Sequence, residues 1–215
     1  LSLSRSEIAA IRTDYRLAQL SEQIAGNDPI SFFLHWFDEA RKAEITEVNA
    51  MTLATCDDSN RPHARIVLLK GVEDSEFIFF SNYNSNKGKQ LYKNPYASLV
   101  FFWKELERQV RIEGVVKRTT ADMSDAYFHS RPEGSQLGAW ASPQSEIIPD
   151  REMLNERYKI FEEQFKAAIP RPPHWGGYAL APTYIEFWQG RSNRMHDRLC
   201  FEKANDQWKS FRLAP

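Results

Sequence analysis

The sequence predicts a mainly β protein with flanking helices, its antiparallel strands closing or nearly closing into a barrel. From Ala50 onward, short apolar runs recur at regular spacing, separated by turn residues. In one of them Val110 and Ile112 alternate with Gln109, Arg111 and Glu113, the period of a half-buried strand. Helical periodicity is confined to a few stretches that would pack around such a sheet. No internal repeat, low-complexity tract or linker divides the 215 residues, which suffice for one substantial core or two small ones. The expected organisation is an N-terminal arm or lid over residues 1–27 and a single domain over 28–215.

Residues 4–20 are polar with scattered apolar positions, an arm or helix that needs a partner surface to be ordered. Asp28-Pro29 starts a helix, with the carboxylate as cap and proline in the first turn. Ile30, Phe33, Leu34, Phe37 and Ala40 give it a core-facing stripe. Strands are expected at Ala50–Cys56 and Ala64–Lys70, flanking a turn at Asp57-Asp58-Ser59-Asn60. Further strands follow at Glu76–Ser81, Tyr96–Trp103 and Arg108–Lys117, with a short helix beginning near Ser85. Thr120–Ser130 and Asp150–Ala168 read as helices, the second strongly amphipathic. Between them, 132–149 carries enough Pro, Gly and Ser to read as a long irregular stretch. Tyr178–Gln189, Arg198–Lys203 and Trp208–Leu213 complete the strands, the last two joined by a turn at Asn205-Asp206.

Composition narrows the function classes. A formal net charge of −1 gives no global field to recruit nucleic acid or an anionic membrane. Any anion site must therefore be built locally. Cys56 and Cys200 are too few and too far apart for a disulfide framework or a paired-cysteine metal site, which fits a reducing, cytoplasmic compartment. No apolar run reaches membrane-spanning length. The first residue is Leu1, so targeting stays undecided. His35, His63, His129, His174 and His196 show no metal-ligand spacing, and His35 reads as structural within an apolar helix. Nucleophile elbows and dinucleotide-binding glycine fingerprints are also missing.

Several segments concentrate anion-binding chemistry. The loop Gly190-Arg191-Ser192-Asn193-Arg194-Met195-His196-Asp197-Arg198 follows the aromatic run Phe187-Trp188-Gln189. Its arginines suit planar, bidentate contacts, and its histidine can change charge near neutral pH. The alternative is a surface loop pinned by Arg–Asp pairs; Asp197 is expected to pair with a nearby arginine and Arg191 to face solvent. Arg65 through Lys70 would send its two cations to opposite faces of an unbroken strand. They would serve two anions, or one would lie beyond a bulge, or the charges would simply blunt an edge strand. Ser81 through Lys89 runs from strand to helix start, where free amides and lysines cradle phosphate. Tyr127 and Arg131 share a helix face, with Ser135 on the following turn. That set would bind a phosphate monoester, unless Arg131 merely caps its helix.

Taken together, these segments resemble the pyridoxamine 5′-phosphate oxidase family. The resemblance runs over nearly the whole chain: RIVLLK at 65–70, ERQVRIEG at 107–114, YFHSRP at 127–132 with Ser135, and GAWAS-Q-S at 138–145. It continues with WGG at 175–177, EFWQG at 186–190, RMHDR at 194–198 and RLAP at 212–215. It implies an FMN-binding split β-barrel, antiparallel and homodimeric, with flavin at the subunit interface and a C-terminal dimerisation region. The implied reaction is oxidation of pyridoxamine or pyridoxine 5′-phosphate to pyridoxal 5′-phosphate, with O2 as acceptor and H2O2 as product. Nucleic acid and membrane are not among the implied partners, and no metal is required.

The resemblance also implies residue roles. Arg65, Ile66, Val67, Leu68, Leu69 and Lys70 would line the flavin, with Arg65 and Lys87 giving charge to its phosphate. Phe80, Ser81, Asn86, Gln109, Gln144, Ser145, Trp188 and Arg198 would complete the cofactor site. Lys70, Tyr127, Arg131 and Ser135 would hold the substrate phosphate. Arg194, Met195 and His196 would lie at the substrate ring, with Arg194 and His196 as the catalytic pair, and Arg12, Thr13, Asp14 and Tyr15 would help close the site. Asn86 departs from the family's usual arginine, which predicts weakened FMN binding. Met195 replaces a usual leucine, a near-isosteric change. The rival readings are a flavin carrier without turnover and a flavin enzyme of the same fold with another substrate. The phosphate set together with Arg194 and His196 disfavours both.

Overall fold

The computed structural model describes residues 9–10, 14–15 and 17–215. The helices are α1 (Glu22–Ala25), α2 (Pro29–Lys42), α3 (Asn86–Lys93), α4 (Ala121–Ser130), α5 (Glu133–Ala141) and α6 (Glu152–Gln164). The strands are β1 (Ala50–Cys56), β2 (Pro62–Leu68), β3 (Gly71–Glu73), β4 (Glu76–Asn82) and β5 (Tyr96–Trp103). They continue with β6 (Arg108–Arg118), β7 (Trp175–Gln189), β8 (Asp197–Ala204) and β9 (Gln207–Arg212). Hydrogen bonding runs in the order β2-β1-β5-β6-β7-β4-β3, and β8 bridges β7 to β9. The β1–β2, β3–β4, β4–β7, β7–β8 and β8–β9 pairs are antiparallel. The chain divides into two compact units, to both of which β5, β6 and β7 contribute residues.

The first unit comprises residues up to Val48, Val100–Ile112 and Tyr184–Pro215. Asp28 caps α2 by accepting from the Ile30 amide, and Pro29 occupies the first turn as its fixed φ favours. The buried face of α2 is Ile30, Phe32, Phe33, Trp36 and Ala40, whereas Leu34 is exposed. The apolar stripe is thus rotated from the expected one, because Phe32 and Trp36 find ring partners. Phe32 and Trp36 lie 4.6 and 5.3 Å from the Phe187 ring, and Phe33 lies 5.1 Å from Phe101. Such contacts add to plain area burial. His35 is not a core histidine: its side chain is mostly exposed, 3.8 Å from Glu39.

The second unit comprises Asn49–Leu99 and Glu113–Thr183. Its β1–β2 hairpin pairs Leu53 with Arg65. Asp57 closes the turn by accepting from the amides of Ser59 and Arg61, the side-chain-to-backbone bonding that favours Asp in turns. Strand β2 stops at Leu68, two residues early. Lys70 consequently lies beyond it, its amide donating to the Ile78 carbonyl at 2.8 Å just before β3. The three-residue β3 is too short to show a period, and the sequence reading lacks it.

A second apolar cluster joins Phe128, Leu137, Ile169 and Trp175, with Trp140, Tyr158, Phe161 and Phe165 packed against it. Its existence explains α5, which occupies part of the stretch expected to be irregular. Pro132 starts the helix and Leu137 and Ala141 bury at i and i+4. Burial overrides the poor propensity of Gly and Ser there. Among the described residues no helix is long and apolar enough to cross a membrane, and no group of metal-ligating side chains assembles.

Candidate active site

A cavity of about 540 Å³ opens in the second unit, lined from several elements. Strand β2 contributes Ile66, Val67 and Leu68, and the segment after it Lys70. Strand β4 supplies Phe80, Ser81 and Asn82, helix α4 supplies Tyr127, and Arg131 and Ser135 come from the turn and helix that follow. Lys87 and Gln144 complete one side. Leu69 does not line it; the side chain is buried and the backbone is bonded to Asn49.

One wall is a stack of rings. Phe80 and Tyr127 lie 3.9 Å apart and nearly parallel, with Trp175 at 5.7 Å from Phe80. Arg131 lays its guanidinium 4.6 Å from the Trp175 ring centre, a desolvated cation–π arrangement. Its Nη1 is buried without a hydrogen-bond partner, and burial lowers the guanidinium's pKa from its ordinary value. A buried donor with nothing to bond is costly, and an anion in the cavity would satisfy it. The i, i+4 geometry of Tyr127 and Arg131 therefore does more than cap a helix, although Arg131 is also the C-cap residue of α4.

A smaller cavity of about 310 Å³ shares Lys87 and Gln144 and adds His63, Ala64, Arg65, Asn86, Gln90 and Ser145. Arg65 donates to the Leu53 carbonyl, Thr55 Oγ1 and Gln90 Oε1 at 2.7–3.1 Å. Lys87 donates to Ser85 Oγ and Gln144 Oε1. Burial, reinforced by the charge of Arg65, brings the Lys87 ammonium down to about 8. Arg65 and Lys70 thus face different cavities, as two anion stations would require. Asn86 lies on the rim of the Arg65 cavity, where it offers an amide and no charge. Among the described residues, Arg65, Lys70, Lys87 and Arg131 have no carboxylate partner.

The remaining site residues belong to the first unit. His196 packs 4.7 Å from Trp188, and Tyr15 meets both rings edge-on at 5.8 and 5.7 Å. The Arg191 amide donates to His196 Nδ1 at 3.1 Å. A neutral His196 consequently carries its proton on Nε2. Burial, then the positive charge of Arg194, lowers the imidazole's pKa and favours that neutral form. Asn193 and Arg194 both take left-handed backbone, at φ 55 and 61. For Arg this is an uncommon conformation, of the kind that collects at functional sites. Met195 is exposed and Gln109 partly exposed on β6.

Arg191 is not solvent-facing: it bonds Asp197 at 3.0 Å, and Asp197 also binds Arg212. Arg198 is committed within the unit, donating twice to the buried carboxylate of Glu186 and once to the Ala214 carbonyl. Of the segment 12–15, Asp14 and Tyr15 are described, while Arg12 and Thr13 lie outside the described residues. Trp175, Asn82 and Ser142 line the larger cavity without having been singled out from sequence. For Trp175 the WGG motif was the available signal. Asn82 falls within the Ser81–Lys89 segment and Ser142 within the GAWAS motif, but neither was given a role of its own.

Residues 37–164 match the family described as pyridoxamine 5′-phosphate oxidase, and 175–215 match its pyridoxine 5′-phosphate oxidase C-terminal dimerisation region. A pyridoxine/pyridoxamine 5′-phosphate oxidase from Polynucleobacter asymbioticus is 55% identical over 208 residues, 97% of this chain and 99% of that one. Among solved structures, PhzG from Burkholderia lata in complex with tetrahydrophenazine-1-carboxylic acid is 30% identical. It superposes with a TM-score of 0.87 over 92% of this chain and 98% of its own. An FMN-binding, pyridoxamine 5′-phosphate oxidase-related protein from Nostoc punctiforme shares the fold at 16% identity and a TM-score of 0.69, covering 88% and 100%. By its sequence matches and its helix-flanked antiparallel sheet, the chain belongs to the pyridoxamine 5′-phosphate oxidase family.

Proposed function

We propose that the protein is an FMN-dependent oxidase that converts pyridoxamine or pyridoxine 5′-phosphate to pyridoxal 5′-phosphate, with O2 as acceptor and H2O2 as product. It acts as a homodimer with FMN at the subunit interface, consistent with the dimerisation-region match, and a cytoplasmic location suits its substrates. The carrying observation is the set of cations without carboxylate partners among the described residues, Arg65 and Lys87 at one station, Lys70 and Arg131 at another, beside a wall of stacked rings. Two phosphorylated ring compounds match that donor set. Incubation of the FMN-loaded protein with pyridoxamine 5′-phosphate under air tests the reading. Aldehyde and peroxide should appear one for one; a folded, yellow protein that makes no aldehyde refutes it.

FMN, when bound, supplies the two-electron acceptor. Arg65 and Lys87 would hold its phosphate, and Ile66, Val67, Leu68, Phe80, Ser81, Gln109, Gln144, Ser145, Trp188 and Arg198 would surround the rest. Lys70, Tyr127, Arg131 and Ser135 hold the vitamer phosphate. Fixing each molecule by a remote phosphate sets ring against ring, worth several kcal/mol at effective molarities of roughly 10⁵ M or more. Arg194 orients the vitamer ring. His196, neutral and protonated on Nε2, donates a hydrogen bond and leaves Nδ1 to the Arg191 amide.

The Lys87 ammonium makes cofactor binding pH-dependent. Its pKa of about 8 lies below the ordinary lysine value, and a bound phosphate restores the charge. Binding therefore takes up a proton above pH 8. FMN affinity should be level below that pH and weaken by up to about tenfold per unit above it. Fluorescence titration checks this, and Lys87→Gln should flatten the profile. Asn86→Arg should tighten FMN by roughly five- to tenfold through one added charge-assisted bond. An unchanged dissociation constant would mean that Arg65 and Lys87 already saturate the phosphate.

A further inference from the structure

The clearest feature without an assigned task is the way the N-terminal segment is tied to the end of β9. Arg212 donates from Nε and Nη2 to the two carboxylate oxygens of Glu22, at 2.6 and 3.1 Å. The same guanidinium reaches the Leu20 carbonyl at 2.7 Å and Asp197 Oδ1 at 3.0 Å. Asp197 Oδ2 accepts from the Leu20 amide, and Glu107 accepts from the Leu17 amide. The paired guanidinium holds Glu22 below the usual carboxylate range.

These bonds run along a segment whose start covers the histidine. Tyr15 sits edge-on to His196 and Trp188. Gly190 makes room for it, since a Cβ there would come within 2.7 Å of Tyr15 Cγ. Segment α1 is only four residues long and holds no fold of its own. Its order, and that of Tyr15, depends on what ties it down.

We infer that Arg212, Asp197 and Glu22 form an ionic latch that straps the N-terminal segment across the 187–198 loop, making Arg212 a positioning residue for Tyr15 at the vitamer site. The inference rests on the proposed reading of Tyr15, Arg194 and His196 as vitamer residues. Arg212 and Glu22 are both partly exposed, so the latch should loosen with salt. A fork-like guanidinium is needed, because the four acceptor atoms on Glu22, Leu20 and Asp197 exceed the three N–H donors of an ammonium.

Hydrogen exchange on the FMN-loaded full chain, compared among wild type, Glu22→Gln and Arg212→Gln, tests the latch. Amides of Leu17 and Leu20 should exchange roughly three- to tenfold faster in both variants, with β8 and β9 unchanged. Added salt should speed the same amides in wild type and have little effect in Arg212→Gln. The KM for pyridoxamine 5′-phosphate should rise by a similar factor, with kcat within about twofold and the FMN dissociation constant unmoved. Should Arg212→Gln not fold, Glu22→Gln carries the test. Unchanged exchange in the folded variants, faster exchange spread through β8 and β9, or an unmoved KM in an active enzyme would overturn the proposal. A wild type that exchanges as expected but does not oxidise the vitamer would refute the functional reading and leave the latch standing.

Discussion

Replacing Arg194 by alanine should lower kcat by at least about a hundredfold while leaving FMN binding within twofold of wild type. The side chain rises from a left-handed backbone beside Asn193, in the loop that also presents His196. Nothing in the described bonding of the fold depends on its guanidinium, unlike those of Arg191, Arg198 and Arg212. Its loss should therefore spare stability and strike orientation of the vitamer. The substitution also removes the nearby charge that helps lower the His196 pKa. The acid limb of the rate profile, where His196 gains a proton and loses its bond from the Arg191 amide, should move to higher pH. Steady-state kinetics across pH and a flavin titration check both parts. Normal turnover would remove Arg194 from the active site.

Arg131→Ala should raise KM for the phosphorylated vitamer by roughly tenfold to a hundredfold, the range of a lost charge-assisted bond. Lys70→Ala should act in the same direction. The unphosphorylated vitamer, which lacks the group these cations would hold, should be nearly indifferent to either change. For Arg131 a second consequence is stability. Its buried Nη1 has no hydrogen-bond partner among the described residues, so the alanine variant should lose only the ring contacts to Trp175 and Phe128, about 1 kcal/mol. Equal loss of efficiency with both vitamers would contradict the phosphate role.

The strand and helix cores were legible because their periods were long and their caps chemical. Asp28-Pro29 and Ser85 start helices where expected, and β1 and β5 keep the expected bounds. Segment 132–149 was not legible, since its Gly and Ser content masks a helix that exists to bury Leu137 and Ala141. In the site, Tyr127 and Arg131 share a face as their spacing suggested, and Lys70, grouped with them by the family resemblance alone, lines the same cavity beyond the early end of β2. Arg198 shows what spacing does not reveal. A carboxylate twelve residues earlier, Glu186, occupies its guanidinium across the β7–β8 pair. The pairing of Arg212 with Glu22 is likewise invisible locally, because only the fold brings residues 190 apart in sequence together.

The most direct test mixes the FMN-loaded protein with pyridoxamine 5′-phosphate in the absence of dioxygen and follows flavin absorbance and aldehyde together. Each loaded subunit should lose its flavin colour and yield one pyridoxal 5′-phosphate, and admitting air should restore the colour with one peroxide. Persistent flavin colour with the vitamer bound, or aldehyde formed without bleaching, would contradict an FMN-dependent oxidase.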